Sequence, residues 1–297
     1  MNLFIVESPL QLLCAYEAIS REKDYELLIR QTGRGLNDQH LITCAEYLNL
    51  DYQVFLLFPH KIKWGLVRNI PLWLRLWLSS YQNVYLGSVY SSALTLISKI
   101  IRSGKIQYLD DGAATIRAQA EMAAGKREIK NWFTFFNLMP LEDQVIKRHK
   151  FDCLNRLVCQ RDYAGSYFIG QPVEIMKGIT KEDYICVVKS IAKNYSEENP
   201  LIYIPHRIED YELLKKYKNI RILRLDMPIE LYFIKHTEKL PKEVYSFYST
   251  ALVSLKNLFP EVLASAIKIN MKETAHTHLK DVYEYMENNE IKVIEFL

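Results

Sequence analysis

Glycine is scarce in this chain, with 10 among 297 residues. Its one close pair, Gly33-Arg34-Gly35, has no third glycine behind it. Neither the dinucleotide fingerprint nor the phosphate loop ending in Gly-Lys-Ser/Thr can therefore be written anywhere in the sequence. Cysteine is sparse too. Cys14, Cys44, Cys153, Cys159 and Cys186 are odd in number, scattered, and form no CxxC pair, which argues against a zinc knuckle or a disulfide framework. They are expected to be buried small hydrophobes in a reducing compartment. No apolar run reaches the ~20 residues that a membrane-spanning helix needs. The opening Asn2-Leu3-Phe4-Ile5-Val6 shows no basic stretch and no small-residue cleavage site, so a cytoplasmic protein is expected. Excess charge is also missing: 38 Lys and Arg stand against 35 Asp and Glu, a net charge of +3. That is too little for a nucleic-acid footprint.

What the chain does have is an ordinary globular balance, 49% apolar and 25% charged. Its length suits two domains. Strand-like and helix-like segments alternate. Leu3–Val6 reads as a strand and Leu10–Ala18 as a helix opened by Ser8-Pro9. Tyr25–Ile29 and Tyr52–Phe58 read as strands around a helix at Asp38–Leu48. Val84–Leu86 leads to a helix at Ser92–Ile101, and Ile106–Leu109 is the next strand. The rhythm repeats in the second half. Strands are expected at Tyr167–Ile169, Leu201–Ile204, Ile220–Leu225, Val244–Tyr248, Ala264–Ile269 and Ile291–Phe296. Helices fall at Lys181–Tyr195, Asp210–Tyr217, Pro228–Ile234, Thr250–Leu258 and near Leu279–Met286. Such alternation implies α/β architecture with parallel sheets covered on both faces. Two such sets imply two Rossmann-like domains, residues 1–162 and 163–297, joined near Cys159–Gly165. Ligands of parallel sheets bind beyond the carboxyl ends of the strands, so the loops after strands hold the candidate chemistry.

Tyr108-Leu109-Asp110-Asp111-Gly112 puts two carboxylates and a glycine straight after an apolar strand. Neighbours on an extended chain point opposite ways, so one of the two faces the ligand side. It could act as a general base, or the pair could be an Asp-rich turn that caps the next segment. Tyr203-Ile204-Pro205-His206-Arg207 places an imidazole and a guanidinium after a second-half strand, suited to proton donation and to an anionic ligand. The alternative is a solvated loop histidine. Ser249-Thr250 opens a helix, where backbone N–H groups favour an anion, although an ordinary cap would look the same. Glu230 begins a short helix and could accept from ribose hydroxyls or merely dress the first turn. Gly170, in Gly170-Gln171-Pro172, would allow close backbone approach to a ligand.

Three of these motifs, Asp110-Asp111-Gly112, Pro205-His206-Arg207 and Ser249-Thr250, resemble the signatures of bacterial sialyltransferases. Ser8-Pro9-Leu10-Gln11-Leu12-Leu13 and Phe168-Ile169-Gly170-Gln171-Pro172 resemble glycosyltransferase family 52 more narrowly, which includes the lipooligosaccharide sialyltransferases. The resemblance spans most of the chain in consistent order. It implies a GT-B architecture, with the two parallel sheets facing a central cleft. It also implies inverting transfer from CMP-sialic acid to a hydroxyl, galactose being the expected one, of a cell-surface glycan such as lipooligosaccharide or capsule. No cofactor or metal is implied. By the same resemblance Asp111 (or Asp110) would be the base, and His206 the acid or the phosphate partner. Ser249 and Thr250 would hold the phosphate of CMP. Gly170, Gln171, Arg207 and Glu230 would line the donor, with Ser8 and Gln11 on the acceptor or sugar side. The family has proline where Arg207 stands.

The chemistry is consistent with that implication. A leaving monophosphate needs less charge compensation than a diphosphate, so a helix N-terminus, two hydroxyls and an imidazole could serve in place of a metal. No DxD triplet occurs. His276-Thr277-His278, the one close histidine pair, has no supporting Cys, Asp or Glu pattern and is expected at the surface rather than on zinc. Lys61–Leu78 holds three of the four tryptophans among basic residues, which suits peripheral contact with the inner face of the cytoplasmic membrane. A buried helix and a homodimer interface are the alternatives. Two rival functions remain: a related enzyme with another CMP-nonulosonic acid or a nucleotide-hexose donor, and a non-catalytic glycan- or membrane-binding protein.

Overall fold

The computed structural model describes residues 1–21, 24–158, 161–172, 179–235, 238–269 and 277–296. The chain divides into two compact units, Met1–Leu157 and Val158–Leu297. Among the described residues no helix is long and apolar enough to cross a membrane.

The first unit is built around β1 (Asn2–Val6), whose five residues are all buried. A strand buried on both faces needs helices on both sides, and the chain supplies them between strands. It runs β1, α1 (Pro9–Ile19), β2 (Tyr25–Gln31), α2 (Gly35–Tyr47), β3 (Gln53–Leu56), α3 (Ile62–Arg68), α4 (Ile70–Leu78) and β4 (Ser80–Leu86). It continues with α5 (Ser92–Ser98), β5 (Arg102–Tyr108), α6 (Ala113–Ala123), β6 (Asn131–Thr134), β7 (Val145–Arg148) and α7 (Asp152–Asn155). The strands form one parallel sheet in the order β3-β2-β1-β4-β5-β6-β7. On one face Leu3, Ile5, Val84 and Leu86 pack with Leu94, Ile97, Trp73 and Leu76. On the other, Phe4 stacks on Tyr85 with ring centroids 4.3 Å apart.

The second unit repeats the winding with β8 (Ser166–Ile169), α8 (Lys181–Ala192), β9 (Leu201–Ile204), β10 (Ile220–Ile222), α9 (Ile229–Lys235) and β11 (Glu243–Ser246). α10 (Ala251–Leu258), β12 (Leu263–Ile269), α11 (Thr277–Glu287) and β13 (Lys292–Phe296) complete it. Its parallel sheet runs β10-β9-β8-β11-β12-β13. Phe168, Tyr184, Tyr203 and Phe247 form the aromatic centre of its core. Each sheet reverses its winding once, between β1 and β4 and between β8 and β11. Those are the points where ligands of doubly wound sheets bind. The fold class is α/β, with two Rossmann-like units.

Some expected elements take another form. Instead of a helix at Asp210–Tyr217 there is a single 3-10 turn, Glu212–Leu214. The residues that pack inward there, Tyr211, Leu214 and Tyr217, recur every third position, which is the 3-10 period. α6, β6 and β7 lie between Leu109 and Tyr167, where the sequence alone places no element. Cys186 is exposed on α8, whereas Cys14, Cys44 and Cys153 are buried as expected. Cys159 and His276 lie outside the described residues.

Candidate functional site

The switch point of the first unit is assembled from three loops. Ser8 caps α1, its Oγ accepting from the Gln11 N–H at 3.5 Å, and Pro9 occupies the first turn where no donor is missed. That cap fixes the direction in which Gln11 leaves the helix. Its Oε1 accepts the Glu7 N–H at 2.8 Å, and its Nε2 donates to Asp111 Oδ1 at 2.8 Å. Gly87, after β4, makes the room: a Cβ there would fall 2.0 Å from Gln11 Oε1. Asp111 donates its own N–H to Thr115 Oγ1 at 3.0 Å. Gly112, at φ 66, turns the chain into α6. The Asp111 carboxylate is thus half-buried, gripped on one oxygen and set at the carboxyl end of β5.

Asp110 faces the other way, as alternation on an extended chain requires. It is fully buried. Its Oδ1 accepts from Thr134 Oγ1 at 2.5 Å, and its Oδ2 from the Phe135 N–H at 2.7 Å and the Cys14 thiol at 3.7 Å. Burial pushes its carboxyl up to about 7 against those hydrogen bonds. The side chain ties the end of β5 to the end of β6.

Among the described residues one set could converge on a metal ion: Cys14, Asp110 and His149, all buried, with ligand atoms within 4.8 Å of one another. The Cys14 thiol is pushed up by burial and by Asp110, and it already donates to that carboxylate. Burial, with Arg21 and Arg148 nearby, pushes the His149 imidazole down to about 3, so it is neutral. His149 Nδ1 accepts from the Phe151 N–H at 3.4 Å, and Nε2 has no hydrogen-bond partner. The cluster forms a polar floor beneath the Asp110-Asp111 turn.

In the second unit a buried chain of hydroxyls, invisible in the sequence, holds the candidate loops. The Gln171 N–H donates to Tyr184 Oη at 2.9 Å, and Tyr184 Oη pairs with Tyr203 Oη at 2.7 Å. Tyr203 Oη donates in turn to Glu209, whose other oxygen accepts the His206 N–H at 2.8 Å. The loop after β8 and the loop after β9 are therefore linked through the protein interior. Gly170 is part of this arrangement: a Cβ would lie 2.2 Å from Glu209 Oε2 and 2.6 Å from Tyr203 Oη. Its bare Cα accommodates the Tyr203–Glu209 pair. Gln171 also reaches the third loop, its Oε1 accepting the Tyr248 N–H at 3.2 Å. Ser246 Oγ secures the base of that loop by donating to the Ile169 carbonyl at 2.7 Å.

His206 is half-buried. Burial and the neighbouring Arg207, which is exposed, hold its imidazole below the usual range. Ser249 Oγ accepts the Ala251 N–H at 3.3 Å at the head of α10, and Thr250 makes no side-chain cap. Glu230 is buried in the first turn of α9. Its Oε1 accepts from Ser254 Oγ at 2.5 Å, which joins α9 to α10, and burial pushes its carboxyl up. The structure thus gathers Gln171, His206, Ser249 and Thr250 on three loops at the carboxyl edge of one sheet, whereas Glu230 is buried between α9 and α10. Sequence reasoning missed Glu7, Gly87, Tyr184, Tyr203 and Glu209. Only Glu209, three positions after His206 in an acidic loop, carried a signal that could have been followed.

No protein-family model and no curated protein matches this chain. Among solved structures it is similar to the E. coli heptosyltransferase WaaC with ADP at 11% identity and TM-score 0.49, covering 100% of this chain and 94% of that one. It is similar to Acinetobacter baumannii MurG at 11% identity and TM-score 0.48, covering 99% and 85%. A glycosyltransferase from Rickettsia africae ESF-5 is similar at 12% identity and TM-score 0.47, covering 93% and 81%. Identities this low transfer no activity to the chain.

Proposed function

We propose that the chain is a GT-B glycosyltransferase that moves sialic acid from CMP-sialic acid to a hydroxyl of a cell-surface glycan, with inversion and without a metal. The observation that carries the reading is the Asp111 carboxylate, held by Gln11 at the switch point of a doubly wound sheet. The resemblance of Asp110-Asp111-Gly112, Pro205-His206-Arg207 and Ser249-Thr250 to the sialyltransferase signatures supports the choice of donor. Asp111 takes the proton of the acceptor hydroxyl. The acceptor oxygen then bonds to the anomeric carbon on the face opposite CMP, and the bond to the phosphate oxygen breaks with its electron pair leaving on CMP. His206, the Ser249 and Thr250 hydroxyls and the first N–H groups of α10 receive the charge on that phosphate. Tyr184, Tyr203 and Glu209 keep the His206 loop in register with Gln171, as preorganised donors require.

The test is transfer from CMP-sialic acid to a galactose-terminated acceptor. Asp111→Asn should lower turnover by about 10²-fold or more while leaving CMP affinity unchanged. In calorimetric titration, Ser249→Ala with Thr250→Ala should weaken CMP by ~1–3 kcal/mol, the scale of hydrogen bonds to a charged group, and spare cytidine. Equal loss of both ligands removes the phosphate assignment. A second reading follows from Arg207, which stands exposed where the family has proline: a different nucleotide-sugar donor. Thermal stabilisation by UDP and not by CMP would select it.

A further inference from the structure

The outer surface of α3 and α4 carries chemistry that the transferase reading leaves unused. Between Asp51 and Asp110 the sequence has no acidic residue and seven Lys or Arg. Within that stretch α3 and α4 turn Gly65, Trp73 and Leu76 inward. The inward face is fixed, since Trp73 Nε1 donates to the Leu66 carbonyl at 2.8 Å and the indole meets Phe55 edge-on. The opposite face therefore points outward by construction. It presents Trp64, Val67, Ile70, Leu74, Trp77 and Leu78, each between 47% and 71% exposed. Two of the cations stand over this face: Arg68 lies 5.5 Å from the Trp64 ring and Arg102 5.0 Å from Trp77. Lys61 and Lys63 are exposed beside them.

We infer that this face seats the protein on an anionic phospholipid bilayer. Helices of 7 and 9 residues are far shorter than the ~20 residues a span needs, so they lie in the plane of the interface. Indoles favour the headgroup level, aliphatic side chains the acyl boundary, and arginine and lysine the anionic headgroups. A second copy of the chain fits less well, because it would bring an all-basic surface against itself. The inference does not depend on the transferase reading, and its test measures no transfer.

The full chain is sedimented with vesicles of phosphatidylcholine alone, or with about a third phosphatidylglycerol. Binding to the anionic vesicles is expected, falling steeply as salt is raised, with little binding to the neutral ones. Trp64→Ser with Trp77→Ser, and separately Lys61→Glu with Lys63→Glu, should each lower the partition coefficient at least tenfold. Lys126→Glu with Lys147→Glu, elsewhere on the same unit, should leave it unchanged. Because the altered side chains are exposed, the melting temperature should not move. No binding by the parent chain overturns the inference, as does equal binding by all variants. A dimer in solution that the tryptophan changes dissolve, without vesicle binding, overturns it in favour of a second copy.

Discussion

Gln11 reaches from the first turn of α1 to a carboxylate 100 positions away in sequence, and the space it uses exists because residue 87 has no side chain. A Gly87→Ala change would push the flexible end of Gln11 aside rather than disturb backbone, so the fold should tolerate it. The amide would then lose its hold on Asp111. Displacements of this kind cost roughly ten- to a hundred-fold in rate when they misplace a reacting group. Gly87→Ala and Gln11→Ala are both expected to lower kcat to that extent with donor KM unchanged. The check is a kinetic comparison beside a thermal melt. Unaltered kcat in both variants would remove Gln11 from the positioning of the base. At this scale the sequence exposed Asp110 and Asp111 through their place after a strand, but it could not tell which was structural. The burial of Asp110 against Thr134, Phe135 and Cys14 makes that distinction, and it depends on residues brought together only by the sheet. The Tyr184–Tyr203–Glu209 chain has no sequence period for the same reason.

At the level of elements, α9 and α10 are joined by Glu230 and Ser254. Burial raises the Glu230 carboxyl, so the folded protein holds its proton more tightly than the unfolded chain does. Its contribution to stability is complete below the usual glutamate range and is lost as pH rises through the raised value. Glu230→Gln keeps an acceptor for Ser254 Oγ and carries no charge. Denaturant unfolding from pH 4 to pH 8 should show the parent losing stability relative to this variant as pH rises. Parallel curves would mean that Glu230 is ionised at no cost. Elements with strong apolar runs, such as β1, β4 and β9, were legible in sequence. β7, Val145-Ile146-Lys147-Arg148, was not, because an edge strand needs few apolar residues, and charge along an edge discourages further pairing. The turn at Glu212–Leu214 was misread because a three-residue repeat of packed side chains resembles a helical one over a short span.

For the molecule as a whole, each unit has its own sheet, its own core and its own switch point. The fragments Met1–Leu157 and Val158–Leu297 are expected to fold separately, each with a cooperative unfolding transition. Circular dichroism of the purified fragments checks this, and a fragment that stays unfolded would show that its core is incomplete alone. The proposed metal independence belongs to this scale too: activity should persist in excess EDTA. Loss on chelation with recovery on Mg²⁺ would indicate a diphosphate donor, whereas recovery on Zn²⁺ alone would turn attention to Cys14, Asp110 and His149.

The strand order has a consequence for how the chain reaches its folded state. In the first unit β1 pairs with β4, joining Leu3 to Val84; in the second β8 pairs with β11, joining Tyr167 to Val244. Each central pair closes a loop of about eighty residues, at roughly 4 kcal/mol of chain entropy before any helix is seated on the new sheet. Parallel pairings of this range make folding slow. During synthesis at ~5–20 residues per second, the first unit is complete on the order of ten seconds before β13 emerges. It can therefore close its sheet while the strands of the second unit, wound in the same order, are still unavailable to compete for its edges.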